Sequence, residues 1–293
     1  MPPFCRNLLS MPAQVMDGKL LAARVREEVA LEVEELGDVG LTTVLVGDDP
    51  ASHVYINGKH KAATSVGIHA NDLRLAADLP EDELLQLLAD LNADDSVDGI
   101  LVQLPLPSHI DESKAIESLD PGKDVDGFHP INAGLLYLGR PRLVPGTPLG
   151  IMRLLAEYRI ETVGARAVVV GRSNIVGKPI AHLLLQEHAT VTICHSRTVD
   201  LQRHTLDADI LVAAVGQLHL IEADMVKAGA TVIDVGMNRT DDGLFGDVDP
   251  GAAEHAAYMT PVPGGVGPMT IAMVLKNTVT AARARRGLVS RAS

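Results

Sequence analysis

Leu21, Val25, Val29 and Val33 recur at every fourth position among polar neighbours. That spacing puts four apolar side chains on one stripe and predicts an amphipathic helix. The pattern then changes. Positions 41–46 read Leu-Thr-Thr-Val-Leu-Val, a short run rich in β-branched residues that predicts a buried strand. Gly47-Asp48-Asp49-Pro50 marks a turn, and Ser52 is placed to cap the helix that follows. Pro80-Glu81-Asp82-Glu83 opens another helix, with acids in its first turn. Positions 100–104 form the next apolar run, stopped by Pro105. Strands alternating with helices predict an α/β unit with a mainly parallel sheet.

Pro145-Gly146-Thr147-Pro148 marks a boundary, and a helix over about 149–159 crosses it. Four short apolar runs follow, at 167–170, 190–194, 210–215 and 231–235. Their spacing predicts a Rossmann-like, doubly wound nucleotide-binding domain. After Pro261 a Gly/Pro-rich segment leads into a last helix, from about 269 to 283, expected to pack back on the first domain. The fold class is therefore two α/β domains. The first comprises 15–148 plus 269–293, the second 149–268, and 1–14 is read as a disordered extension or an over-long start, since Met11 can also initiate. An organelle presequence is the minor alternative for that segment.

Composition narrows the function. Apolar residues are 46% of the 293 but aromatics only 2%, with no Trp, so the cores are aliphatic and stacking surfaces for nucleic acid are not expected. A net charge of −13 repels phosphate backbones and anionic membranes, while leaving room for a local basic pocket. No apolar run reaches the roughly 20 residues of a membrane span. The two cysteines, Cys5 and Cys194, cannot build a disulfide or metal framework, which fits a reducing, cytoplasmic setting. His60, His109, His129 and His195 lack metal-ligand spacing, so no metal is expected, and no Ser or Cys stands in a nucleophile elbow.

Val168-Val169-Val170-Gly171-Arg172-Ser173-Asn174-Ile175-Val176-Gly177-Lys178-Pro179 reads strand, loop, helix. Backbone N–H groups and the positive end of a helix dipole suit a pyrophosphate there. Ser173 replaces the second glycine of the G-x-G-x-x-G pattern and the last glycine comes one residue late, so the loop alone leaves an ordinary turn open. The next strand sharpens the reading. An NAD-binder ends it with an acid for the ribose hydroxyls, whereas here His195-Ser196-Arg197 follows. A hydroxyl and a guanidinium, with Arg172, suit the 2′-phosphate of NADP; surface cations are the plain alternative.

Tyr55 and Lys59 stand at i and i+4, on one helix face. A free lysine is charged at neutral pH, so acid–base work needs desolvation of Lys59. A solvated helix edge is the plain alternative. Gln103 ends an apolar strand, where ligands of such folds bind. Lys123-Asp124-Val125-Asp126-Gly127 offers loop carboxylates to an amino-heterocycle, or simply turn caps. Pro263-Gly264-Gly265-Val266-Gly267-Pro268 is glycine-rich enough for backbone lying against a flat ligand, or for a hinge.

Together these segments resemble the bifunctional methylenetetrahydrofolate dehydrogenase/methenyltetrahydrofolate cyclohydrolase family. The matching pieces are Tyr55–Lys59, 99–107, 123–127, 171–179 and 261–270, and the resemblance runs from about 15 to 282. It implies a folate cleft between the domains and oxidation of methylenetetrahydrofolate with NADP, followed by hydrolysis of the methenyl product to 10-formyltetrahydrofolate. Residue by residue it implies that Lys59 is the main cyclohydrolase group, helped by Tyr55 and Gln103, and that Asp126 holds the pterin. Val102, Gln103, Leu104, Pro263, Gly264, Gly265, Val266 and Gly267 line the substrate site by the same likeness. Gly171, Arg172, Ser173, Ser196 and Met237 contact NADP, with Arg197 added by its charge. A cytosolic homodimer serving purine, methionine and histidine metabolism is also implied. Gly146 stands where many members have Cys, which argues against an essential thiol there. Two other readings are distinguished by single features. Loss of Lys59 or Gln103 favours a non-catalytic nucleotide-sensing protein, and an acid in place of Ser196-Arg197 favours a monofunctional NAD-linked dehydrogenase; the sequence has neither change.

Overall fold

The structure, a computed structural model, describes residues 12–288, apart from the side chains at 50–55. In chain order it runs β1 (Gln14–Val15), α1 (Gly18–Leu36), β2 (Gly40–Val46), α2 (Pro50–Ser65), β3 (His69–Leu75), α3 (Glu81–Ala93) and β4 (Gly99–Val102). Three helices follow, α4 (Glu112–Glu117), α5 (Pro130–Tyr137) and α6 (Gly146–Glu157). The second unit holds β5 (Arg166–Val170), α7 (Gly177–Gln186), β6 (Thr190–Cys194), α8 (Leu201–Thr205), β7 (Ile210–Ala213) and β8 (Thr231–Asp234). A hairpin, β9 (Asn238–Thr240) and β10 (Gly243–Phe245), then precedes β11 (Tyr258–Met259) and the long α9 (Val266–Arg285).

The four-residue stripe forms as predicted. Leu21, Val25, Val29 and Val33 are all buried on α1, whose start is capped by Asp17 accepting from the Leu20 N–H at 2.9 Å. The α2 helix begins at Pro50, two residues before Ser52, because proline suits the first helical position. Every residue of β2 is buried, since it is the centre of a parallel β3-β2-β4 sheet. β3 has no counterpart in the sequence reading. His69-Ala70-Asn71-Asp72-Leu73-Arg74-Leu75 is largely polar because it is an edge strand, yet it pairs with β2 along its full length.

The second sheet has the order β1-β11-β8-β7-β5-β6, parallel throughout, with its four expected strands at the centre and one edge. β1 corrects the expected extension. Gln14 and Val15 pair with Tyr258 and Met259, and the Ala13 N–H donates to Ala253 O at 2.8 Å. The open edge of β11 supplies the backbone partners these residues need. Residues 1–11 of that expectation lie outside the described residues.

α9 begins at Val266 and packs against α1 and α6, as expected of the last helix. Asn277, buried on α9, donates to Val125 O at 2.7 Å and to Val144 O at 2.8 Å. One amide thus ties the loop carrying Asp126 to the chain entering the second unit.

Candidate active site

Lys59 is buried on α2, only 5% exposed, and its Nζ donates to Gln103 Oε1 at 3.3 Å. Gln103 lies just past β4. Its own N–H donates to Val44 O at 2.9 Å and its Nε2 to Leu104 O at 2.8 Å, so the side chain is held at the strand end. Burial lowers the Lys59 ammonium below its usual range, with the negative charge of Asp126 opposing the shift. Asp126 responds in the other sense. Burial pushes its carboxyl up to about 6, Lys59 pulls it back, and Asp124 adds to the rise. A lysine that loses its proton more easily and a carboxylic acid that keeps one longer make an acid–base pair suited to neutral pH.

The loop 123–127 divides its charges among three tasks. Lys123, 1% exposed, donates to the carbonyls of Leu91, Asn92 and Asp94 at 2.9, 2.8 and 2.7 Å. It closes the C-terminal end of α3, where carbonyls lack partners and a cation is favoured. Asp124 accepts from the His129 N–H at 2.8 Å and from Asn132 Nδ2 at 3.0 Å, which shapes the turn. Only Asp126 stays partly exposed beside Lys59. Gly127 (φ 70°) is required, because a Cβ there comes 2.7 Å from the Val144 carbonyl carbon.

A cavity of about 470 Å³, a volume typical of small-molecule sites, opens against α2; Gly58, next to Lys59 in sequence, lines it, whereas Lys59, Gln103 and Asp126 do not. Gly58 and Ala62 of α2, the segment 261–268 and Asp234 to Met237 line it. Pro263, Gly264, Gly265, Val266 and Gly267 are therefore together on one wall, as the sequence suggested. Val102 is 4% exposed in an apolar core, and Leu104 packs half-buried against the same core. The Tyr55 side chain lies outside those described, although its backbone is in α2, one turn before Lys59.

The glycine loop lies on a second hollow, lined by Gly171, Arg172, Ser173, His195, Ser196, Ala214, Val215 and Gln217 among others. Its glycines are there for close approach. A Cβ on Gly171 (φ 127°) falls 2.2 Å from Ala214 O, and one on Gly177 falls 2.3 Å from Gly171 O. Ser173 stands in for the second glycine because its Oγ accepts from the N–H groups of Val176 and Gly177, at 3.1 and 3.3 Å, where α7 begins. Arg172, Ser196 and Arg197 are exposed at this end of the sheet. Met237, 60% exposed, is instead on the wall of the first cavity, next to Gly267. The sequence reading missed the linings at 214–217 and 234–236. It took positions 210–215 and 231–235 as strand, whereas β7 and β8 stop earlier and their carboxyl ends form the floor of the site.

Neighbouring parallel strands β7 and β8 thus carry one loop to the hollow at the glycine loop and the next to the cavity walled by 261–268. The class this defines is a two-domain α/β enzyme, with a dinucleotide-type glycine loop in one unit and a buried lysine bonded to a strand-end glutamine in the other. Comparison with known proteins narrows the class. The catalytic-domain model of the tetrahydrofolate dehydrogenase/cyclohydrolase family matches residues 16–126, and that family's NAD(P)-binding-domain model matches 145–286. A curated relative, the bifunctional protein FolD of Moorella thermoacetica, is 57% identical over 279 residues, covering 93% of this chain and 100% of its own. The crystal structure of the bifunctional FolD methylenetetrahydrofolate dehydrogenase/cyclohydrolase of Campylobacter jejuni superposes with a TM-score of 0.92 at 48% identity, over 93% of this chain and 99% of that one. The Trypanosoma brucei enzyme, complexed with NADP and an inhibitor, gives 0.90 at 38%, over 96% and 100%. The chain belongs to the tetrahydrofolate dehydrogenase/cyclohydrolase family. It is a bifunctional enzyme that oxidises methylenetetrahydrofolate with a nicotinamide cofactor and hydrolyses methenyltetrahydrofolate. Neither the nucleotide-sensing nor the monofunctional reading is favoured by these matches.

Proposed function

We propose that Lys59 carries the proton transfers of the hydrolytic step, with Gln103 and Tyr55 orienting it and Asp126 holding the pterin. The observation behind this reading is the desolvated Lys59 ammonium donating to Gln103 Oε1 next to Asp126. In its amine form Lys59 takes a proton from the water that attacks the methenyl carbon. As ammonium it returns that proton to the ring nitrogen whose bond to that carbon breaks, and the remaining O–H proton leaves to solvent as the formyl C=O forms. Asp126, ionised, accepts hydrogen bonds from the amino-pyrimidine edge. The backbone at 263–267 forms a flat wall, while Val102 and Leu104, packed in an apolar core, hold Gln103 at the strand end.

NADP, rather than NAD, supplies hydride acceptance when bound. The chain holds its pyrophosphate against Gly171, Ser173 and the start of α7, and meets the 2′-phosphate with Arg172, Ser196 and Arg197. Met237, on the neighbouring loop, bounds the nicotinamide end. Hydride transfer needs little acid–base help, because the folate nitrogens stabilise the cationic product, so the residues mainly position the two rings.

The substrate-binding unit is 15–148 plus 269–293 and the cofactor unit 149–268, with β1 of the first crossing into the sheet of the second. The protein acts as a cytoplasmic homodimer supplying one-carbon units for purine, histidine and methionine synthesis. Support for pairing comes from β6, an edge strand carrying Ile193 at 42% exposure, beside Val199 at 84%. Its partners are folate derivatives, with neither nucleic acid nor membrane. An assay following reduced cofactor and methenyl product separately, with NADP or NAD, tests the reading. Preference for NADP and consumption of methenyltetrahydrofolate without cofactor support it; equal use of NAD, or no hydrolysis, refutes it.

A further inference from the structure

Asp247 is completely buried, 0% exposed, on the segment after the β9–β10 hairpin, away from the Lys59 cluster. Its Oδ2 accepts from the N–H groups of Val215 and Gly216 at 2.7 and 3.0 Å. Its Oδ1 accepts from the Gln217 N–H at 2.9 Å and from Asn238 Nδ2 at 3.0 Å. Three successive backbone N–H groups turned to one carboxylate form the kind of nest that elsewhere binds a free anion. Here the protein fills it with its own side chain. The loop so gathered follows β7, and its Val215 and Gln217 line the dinucleotide hollow.

The backbone of Asp247 points the other way. Its N–H donates to Asp234 Oδ1 at 2.9 Å, and Asp234 also accepts from Gly236 at 2.9 Å and Val248 at 3.0 Å. Asp234 and Gly236 line the cavity walled by 261–268, where the proposed function places the folate. The contact leaves no slack. A Cβ on Gly236 falls 2.4 Å from Asp247 Oδ1, and one on Gly246 falls 1.7 Å from Asp234 Oδ2.

We infer that Asp247 is a positioning residue for the cofactor: its carboxylate sets the 215–217 loop against the dinucleotide, while its backbone fixes that loop to the folate wall through Asp234. The inference rests on NADP occupying the hollow at Gly171. The two ends of Asp247 are separable, since a side-chain change leaves its N–H bond to Asp234 in place. Asp247→Asn keeps the shape but presents an amide NH₂ to backbone donors, so at least one of the three loop N–H groups loses its acceptor.

The test is titration of NADPH fluorescence on the purified protein, together with methenyltetrahydrofolate hydrolysis measured without cofactor. Asp247→Asn is expected to raise the NADPH Kd by about tenfold or more and to leave hydrolysis within about twofold of the wild type. An unchanged Kd overturns the inference, and so does an equal loss of both readouts, which marks a general structural role. A wild type that fails to bind NADPH refutes instead the underlying cofactor assignment. Should Asp247→Asn not fold, Gly216→Ala decides. Its Cβ enters open space, so only the left-handed backbone (φ 64°) is strained. A raised NADPH Kd with intact hydrolysis then supports the inference, and an unaltered Kd contradicts it.

Discussion

Lys59 Nζ and Gln103 Oε1, 44 residues apart in sequence, are 3.3 Å apart in a site that α2 and the end of β4 build between them. The neutral amide gives the buried ammonium an acceptor without fixing its charge. Replacing it by a carboxylate, Gln103→Glu, favours the charged lysine and raises the pH at which the amine appears. The pH profile of methenyl hydrolysis is expected to shift up by about one unit, with about a tenfold loss at neutral pH recovered in alkali. A profile that keeps its midpoint contradicts proton transfer by Lys59.

Asp126 makes the same centre visible in stability. Its carboxyl titrates at about 6 in the folded protein, whereas an unfolded aspartate titrates at about 3.9. The native state therefore holds the proton more tightly. Its contribution is fully present below about pH 4 and is lost as pH rises through about 6. Denaturant unfolding of the wild type and Asp126→Asn at pH 4 to 7 should show the wild type losing about 2–3 kcal/mol relative to the variant. A pH-independent difference counts against the shifted carboxyl. The pterin role has a separate readout: the KM for folate should rise in Asp126→Asn, with NADPH binding unchanged.

Cofactor choice rests on exposed charge. Arg172→Ala with Arg197→Ala should raise the KM for NADP by about 10²-fold and barely change that for NAD, since two charge-assisted bonds are at stake and solvent weakens both. Equal losses with the two cofactors refute the 2′-phosphate assignment.

Lys123 separates packing from chemistry within one loop. Lys123→Met removes three hydrogen bonds to carbonyls of the α3 end, one buried and two half-buried. We expect a loss of about 2 kcal/mol or more in unfolding free energy, with KM values near those of the wild type under native conditions. A large change in folate KM without loss of stability places Lys123 in the site instead.

Much of this was legible in the sequence, for identifiable reasons. The α1 stripe, β2 and the strands of the second sheet announce themselves because burial on one or both faces writes a periodic or continuous apolar pattern. The edge strand β3 did not, since one side of it faces solvent and its pairing is carried by backbone groups. Spacing put Lys59 on a helix and Gln103 at a strand end, and left a solvated edge open for Lys59; its burial and its bond to Gln103 appear only once α2 meets the end of β4. The division of labour among Lys123, Asp124 and Asp126 was not legible either, because it depends on which charge meets α3, which meets Asn132 and which meets Lys59. Asp247 was invisible for a similar reason. Its partners are backbone N–H groups some 30 residues earlier, and those carry no side-chain signature.

The central claim is that one chain runs two reactions with separable residues, and Lys59→Ala tests it most directly. Reduced cofactor and methenyltetrahydrofolate are followed separately in one assay, after confirming that the variant unfolds cooperatively. Loss of a proton-transfer group should cut methenyl hydrolysis by about 10²–10⁴-fold while hydride transfer stays measurable, so that the methenyl compound accumulates. Hydrolysis at the wild-type rate, with no accumulation of the methenyl compound, contradicts the account.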